Sequence, residues 1–319
     1  MEYPSVTSKF ARLAGIAVGV ATIAALTACG TAKNDSDQLT IVASTNVWGD
    51  IAKTVAGSDA EVESLISDPS ADPHSYEVTP VEAAKISDAD LIVYNGGGYD
   101  EFIDKAIAGK DKKAINAFEI AGEDAHEAPT TPAAPTTAEG AHTHDHETNE
   151  HVWYDVHIVG EVAEHIAEVL GDIDPDNKQA YADRAAAFND KLAGIDAIIE
   201  KIAAEHPNTP VLQTEPLAYY LLLEAKADDR TPHEFQEAVE QGTDPSPASV
   251  ATVRDLLTNK QVRALIYNSQ TEDKTTKDLK AIAEAAGIPV VEVTETLPEG
   301  LDYIQWQTQN AQALAQALS

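Results

Sequence analysis

Residues 174–206, DPDNKQAYADRAAAFNDKLAGIDAIIEKIAAEH, decide how the chain is put together. Asp174-Pro175 is a capping residue followed by a proline, the pairing that opens a helix, and a helical pattern then runs unbroken to about Glu205. Ala180, Ala187, Phe188, Leu192, Ile195, Ile199 and Ile202 recur at three-to-four spacing. That gives one apolar stripe along roughly 45 Å of helix at 1.5 Å per residue. A helix of this kind acts as a stiff beam between two bodies, so 174–206 is read as a linking helix.

Outward from the beam, short apolar runs alternate with helical patterns on both sides, the mark of βαβ units and parallel sheets. Before it, Leu39–Ala43, Glu61–Ile66, Leu91–Tyr94 and Ala114–Phe118 read as strands. Thr79-Pro80-Val81-Glu82 opens a helix with a capping box, and a further helix runs from about His157 to Leu170. After the beam, Pro210–Thr214, Arg263–Asn268 and Pro289–Val293 read as strands, with helices near Leu217–Lys226, Pro247–Thr258 and Lys274–Ala286. The endings Ile92-Val93-Tyr94-Asn95 and Leu265-Ile266-Tyr267-Asn268 resemble each other. The expected fold is α/β: two similar lobes with mostly parallel sheets, 39–173 and 207–319, joined by one long rigid helix. Ligands in such folds sit beyond the carboxyl ends of the strands, here in an interlobe cleft. Residues 121–150 collapse into Pro, Thr, Ala, His and acids and read as a flexible, His-rich acidic loop within the first lobe.

Lys9 and Arg12 precede an uncharged run, Leu13 to Leu26, that ends in Leu26-Thr27-Ala28-Cys29. A charged region, an apolar region and a small-residue cleavage site in that order make an export signal. Its apolar stretch of about 14 residues is short of the ~20 that span a bilayer. Residues 1–28 are therefore read as a lipoprotein signal peptide, Cys29 as the acylated first residue of the mature chain, and 29–38 as a tether. The expected location is extracytoplasmic, lipid-anchored to a bacterial cell membrane. Cys29 is the only cysteine, so no intrachain disulfide supports the fold. The formal charge of -33, from 54 acidic against 21 basic residues, excludes nucleic acid as a partner, because phosphate binding needs clustered Lys and Arg. A field of that sign concentrates cations instead.

Metal-ligand side chains stand at or just after the proposed strand ends, two groups in each lobe. They are His74 in Asp72-Pro73-His74-Ser75-Tyr76-Glu77, His151 in Asn149-Glu150-His151-Val152-Trp153-Tyr154-Asp155, Glu215 in Gln213-Thr214-Glu215-Pro216, and the pair Glu272-Asp273. Taken singly, a loop histidine is more often a solvated or capping residue and a lone glutamate a surface residue. Together, imidazole nitrogen and carboxylate oxygen without thiolate suit Zn(II) or Mn(II) and give no case for iron–sulfur or Cu(I). His126, His142, His144 and His146, with Asp145 and Glu147, form a second group in the 121–150 loop. That loop is either a low-complexity segment without a role or an auxiliary site of weak, exchangeable capture, weak because mobile ligands lose entropy on binding. His157, His165, His206 and His233 read as surface, packing or helix-end residues. Trp48 is assigned to core packing in preference to roofing the cleft.

The sequence resembles the zinc- and manganese-binding cluster (A-I) of ABC-transporter substrate-binding lipoproteins over nearly all of the mature chain. Asp72 to Glu77, followed by the capped helix at Thr79, is similar to that family's first ligand motif. Asn149 to Asp155 is similar to its second, with Glu150 where proline is usual. Thr214-Glu215 resembles the version of the third motif that carries Glu in place of His. The resemblance implies two lobes around a single backbone helix with the ion clamped between them, and ligands His74, His151, Glu215 and a carboxylate after Asn268. Glu272 is the first choice for that carboxylate, with Asp273 and Gln270 as rivals. It also implies Zn(II), or alternatively Mn(II), as a transported ligand, and an ABC permease with its ATPase as partners. The chain is expected to be a monomer.

No Gly-x-Ser-x-Gly, His-Glu-x-x-His or Gly-rich phosphate loop occurs, and the protein ligands could fill the coordination shell, so a receptor is expected and not an enzyme. A surface adhesin is the alternative of another class, and no residue pattern supports it as the primary role. Glu215 in place of His favours Mn(II), whereas the His-rich loop and raw affinity order favour Zn(II). Capture is expected to weaken as pH falls through the histidine range, since the ligands must lose their protons.

Overall fold

The structure is a computed structural model that describes residues 38–68, 73, 76–127 and 149–319, the side chains of 123–127 excepted. The expected export signal, Cys29, His74, His142, His144 and His146 lie outside the described residues. The first lobe runs β1 (Leu39–Thr45), α1 (Asn46–Ala56), β2 (Ala60–Ile66), α2 (Pro80–Asp88), β3 (Leu91–Tyr94), α3 (Glu101–Ile107), β4 (Ala114–Asn116) and α4 (Ala117–Glu127). Two helices follow, α5 (Val156–Ile173) and α6 (Lys178–Glu205). The second lobe runs β5 (Pro210–Gln213), α7 (Tyr219–Glu224), β6 (Asp228–Asp229), α8 (His233–Glu240), α9 (Pro247–Thr258), β7 (Ala264–Asn268), α10 (Lys274–Ala286), β8 (Val290–Val293) and α11 (Tyr303–Leu318).

Each lobe holds one four-stranded sheet, in the orders β2-β1-β3-β4 and β6-β5-β7-β8. Among the described residues the paired strands of both sheets run parallel. The two sheets thus repeat one order, each built outward from its first and third strands. β3 and β7 are buried along their whole length, as expected of parallel strands covered on both faces.

The beam is α6, 28 residues long and so about 42 Å. Its buried residues are Tyr181, Ala185, Phe188, Leu192, Ile195, Ile199 and Ile202, alternating steps of four and three. This corrects the stripe at its amino end: Tyr181 and Ala185 face inward, while Ala187 is exposed and Ala180 only partly buried. Alanine sits equally well on either face, and the Tyr181 hydroxyl that makes the residue look polar donates to Asp174 at 3.0 Å. Pro175–Asn177 forms a separate 3-10 turn ahead of α6. A second correction falls after β4, where the strand expected to reach Phe118 stops at Asn116 and α4 continues to Glu127, into the segment expected to be irregular from 121. β6, two residues long, and α11 carry no expectation from the sequence.

Arg184 of α6 fastens the beam to the first lobe. Its guanidinium donates to the Val55 and Ala56 carbonyls at the end of α1, at 2.6 and 2.9 Å, and to Asp59 at 2.8 Å. It thus serves as both a C-terminal cap and a cation at the negative end of a helix. Gly57, at φ +62°, leaves the space it needs: a Cβ there would lie 3.0 Å from the guanidinium carbon. Arg184→Ala is expected to lower stability by about 1–3 kcal/mol in urea unfolding, and Arg184→Lys to recover only part, because an ammonium lacks the planar fork. An unchanged midpoint for Arg184→Ala would show that the contact does not hold the beam.

Candidate metal site

The loop entering α5 presents His151, which is 1% exposed. Asn149 Oδ1 accepts from the His151 backbone N–H at 2.9 Å and lies 2.9 Å from the ring Nδ1. Asn149 Nδ2 donates to the Pro216 carbonyl at 3.0 Å, which fixes the orientation of the amide. A carbonyl oxygen only accepts, so Nδ1 carries a proton, and in the neutral ring Nε2 presents the lone pair. Trp153 and Tyr99 pack against the imidazole, with ring centres 5.2 and 6.0 Å away. Nε2 stands 3.7 Å from Glu240 Oε1 and 3.8 Å from Glu295 Oε2.

Two carboxylates come from the second sheet. Glu215 lies two residues beyond β5 and Glu295 two beyond β8, and both are buried. Asn268, the last residue of β7, donates its amide to both, to Glu215 Oε2 at 2.6 Å and to Glu295 Oε1 at 2.8 Å. The Thr271 hydroxyl donates to Glu215 Oε1. Tyr99 of the first lobe reaches across to donate to Glu295 Oε2 at 3.2 Å.

Glu240 ends α8, and its side chain is 20% exposed. Oε1 has no hydrogen-bond partner. Burial, and then the like charges of Glu150, Glu215 and Glu237, push its carboxyl up to about 8. Among the described residues no three His, Cys, Asp or Glu side chains are drawn together as tightly as a finished shell. Ligands about 2.1 Å from one ion stand roughly 3–4 Å apart, and the separations from Nε2 fall in that range.

Of the residues expected at the site, the structure links His151 and Glu215 through Glu295 and Asn268 in one buried cluster and gives Glu272 other partners. Glu272 Oε1 accepts from the Tyr267 hydroxyl at 2.9 Å and Oε2 lies 3.3 Å from Lys277, contacts that hold its carboxyl below the usual range. Side chains alternate along a strand, so Tyr267 and Asn268 leave β7 on opposite faces, and Glu272 follows Tyr267. Asp273 caps α10, accepting from the Thr276 N–H at 2.6 Å. Gln270 is scaffold: its Oε1 accepts from the backbone N–H groups of Glu295 and Thr296, and its Nε2 donates to the Thr296 hydroxyl at 2.8 Å. His126 lies on α4, with its side chain outside the description. The expected capping box at Thr79 and Glu82 is present, and Trp48 is fully buried in the core.

Glu295 was within reach of sequence reasoning. Thr294-Glu295 follows β8 as Thr214-Glu215 follows β5, so the rule that selects one glutamate selects the other. Glu240 offers no such signal, since it closes a helix distant in sequence from the strand ends.

The family model described as ZnuA, zinc-uptake complex component A, periplasmic, matches residues 41–317. The zinc-binding lipoprotein AdcA of Streptococcus pneumoniae serotype 4 is 27% identical over 299 residues, covering 91% of this chain. The chain spans 58% of the length of that relative. The manganese ABC transporter substrate-binding lipoprotein PsaA of Streptococcus pneumoniae is 25% identical over 320 residues, 95% of this chain and 97% of PsaA. In fold, the chain is similar to the periplasmic zinc binding protein TroA from Treponema pallidum, with a TM-score of 0.69 at 18% identity over 88% of this chain and 99% of that one. Matched from the first sheet's leading strand to its last helix, the chain belongs to the family of the periplasmic zinc-uptake component A.

Proposed function

We propose that this chain is an extracytoplasmic receptor that captures a divalent transition ion, Zn(II) first, and presents it to an ABC permease powered by a separate ATPase. One observation carries the reading: the fixed lone pair of His151 Nε2 lies 3.8 Å from a carboxylate that Asn268 holds together with Glu215. The proposed ligands are His151, Glu215 and Glu295, with His74 from the motif ahead of α2. Glu295 takes the place expected of Glu272. Two imidazoles and two carboxylates fill a shell and leave no position for the water that a hydrolytic zinc centre activates. Zn(II) follows from affinity order, while the carboxylate-rich surroundings favour Mn(II) as the second reading. Anchoring through Cys29, a monomeric state and auxiliary capture by the His126–His146 loop belong to the same proposal. Among the described residues no helix is long and apolar enough to cross a membrane.

Competition titration of the purified protein tests the ligand set. Zn(II) affinity should fall at least ~100-fold in His151→Ala and in Glu295→Gln, and stay within about two-fold of the parent in Glu272→Gln. Undiminished binding by His151→Ala would remove the basis of the receptor reading.

Stability of the metal-free protein supplies a second test. The folded chain holds the Glu240 proton more tightly than the unfolded chain does, since the carboxyl rises from 4.5 to about 8 on folding. That contribution is complete below the unfolded value and is lost as pH rises through the folded one. Glu240→Gln has no such group, so its gain in melting temperature over the parent should be larger at pH 8 than at pH 5. Equal gains at both would show that Glu240 is not confined among like charges.

A further inference from the structure

We propose that Glu240 is a further cargo ligand, entering the site from the carboxyl end of α8 and favouring an ion of higher coordination number, Mn(II), relative to Zn(II). The proposal rests on the receptor reading above and names a residue that sets its selectivity.

Three observations lead to it. First, the lone pair on His151 Nε2 faces Glu240 at 3.7 Å and Glu295 at 3.8 Å. Lone pair against carboxylate is repulsive on both sides unless a proton or a metal cation lies between, and Glu240 stands as close as Glu295. Second, the three carboxylates are not equally satisfied. Glu215 accepts from Asn268 and Thr271, and Glu295 from Asn268 and Tyr99. Oε1 of Glu240 is buried and accepts from no donor, while its charged neighbours include Glu150, Glu215 and Glu237. A buried acceptor without a donor is costly, and a cation on the His151 side would remove that cost. Third, the support differs. Glu215 and Glu295 follow strands and are fixed by side-chain donors, whereas Glu240 is the last residue of an eight-residue helix capped at Gln241, followed by Gly242 at φ +63°. Such a group can approach an ion without moving either sheet.

The chemistry then discriminates between ions. Zn(II) is complete with four ligands and gains little from another oxygen. Mn(II) prefers more ligands and harder ones, so a third carboxylate benefits it more.

The test is competitive titration of the purified full chain with Zn(II) and with Mn(II), alongside absorption spectra of its Co(II) form. Glu240→Gln keeps the shape of the side chain and removes its charge. It should weaken Mn(II) about ten-fold or more and Zn(II) by less than about three-fold, and it should intensify the Co(II) d–d bands as the coordination number falls. Glu240→Asp, which retains the charge but shortens the reach, should shift the ratio in the same direction and serves if the Gln variant does not fold. Parent-like affinities and an unchanged Co(II) spectrum in both variants, with binding lost in His151→Ala, would overturn the role of Glu240 and leave the receptor reading standing. Equal weakening of both ions would overturn the selectivity. Retention of both ions by His151→Ala would instead strike the receptor reading itself.

Discussion

A single side-chain amide holds two buried carboxylates at the carboxyl end of the second sheet. Asn268 Nδ2 lies 2.6 Å from Glu215 and 2.8 Å from Glu295, and its own oxygen accepts from the Gln270 N–H at 3.0 Å, so the amide cannot turn over. Like charges gathered away from water repel, and neutral donors offset that only in part. The arrangement depends on strand order. β7 lies between β5 and β8, and only then do the residues following its two neighbours meet over its last residue. The second sheet therefore gathers two buried carboxyl groups over the last residue of one of its inner strands.

The first sheet uses the equivalent residue differently. Asn95 stands at the end of β3, the same place in the same strand order, and its amide donates to the Glu150 carbonyl at 2.8 Å and to the Gly96 carbonyl at 3.1 Å. Asp100 accepts from the backbone N–H groups of Asn95 and Gly96 at 2.7 and 2.8 Å. Gly96, at φ +77°, must lack a Cβ, which would fall 2.0 Å from Asn116 Oδ1. One half of the repeat thus grips side-chain charge. The other grips the backbone that delivers His151, whose tautomer is then set by Asn149.

Much of this was legible because it is local. Alternating runs located the sheets, and Pro247–Thr258 and Lys274–Ala286 begin and end where their caps and periodicity put them. Glu215 and His151 stood out as ligand types beside strand ends. What escaped depends on direction and distance. Whether Glu272 faces the cleft turns on the sidedness of Tyr267 and Asn268, and a strand five residues long with both faces buried shows no polar alternation from which to read it. Glu240 meets His151 across 89 residues of chain, a contact that no periodicity encodes. Tyr181 was missed because its hydroxyl is satisfied by Asp174, a partner seven positions earlier.

The seam along α6 reaches further than a beam would. Ile195 and Ile199 belong to one continuous core with Ile41 and Leu91 of the first sheet and with Val211, Ala264 and Ile266 of the second. Asn46 and Leu297 exchange two hydrogen bonds across the lobes at 2.8 and 2.9 Å, and the Tyr154 hydroxyl donates to the Thr294 carbonyl at 2.9 Å. One face of each sheet thus shares a single core with the other, while the opposite faces pack in separate clusters. A substitution on this seam therefore loosens both architectural halves at once.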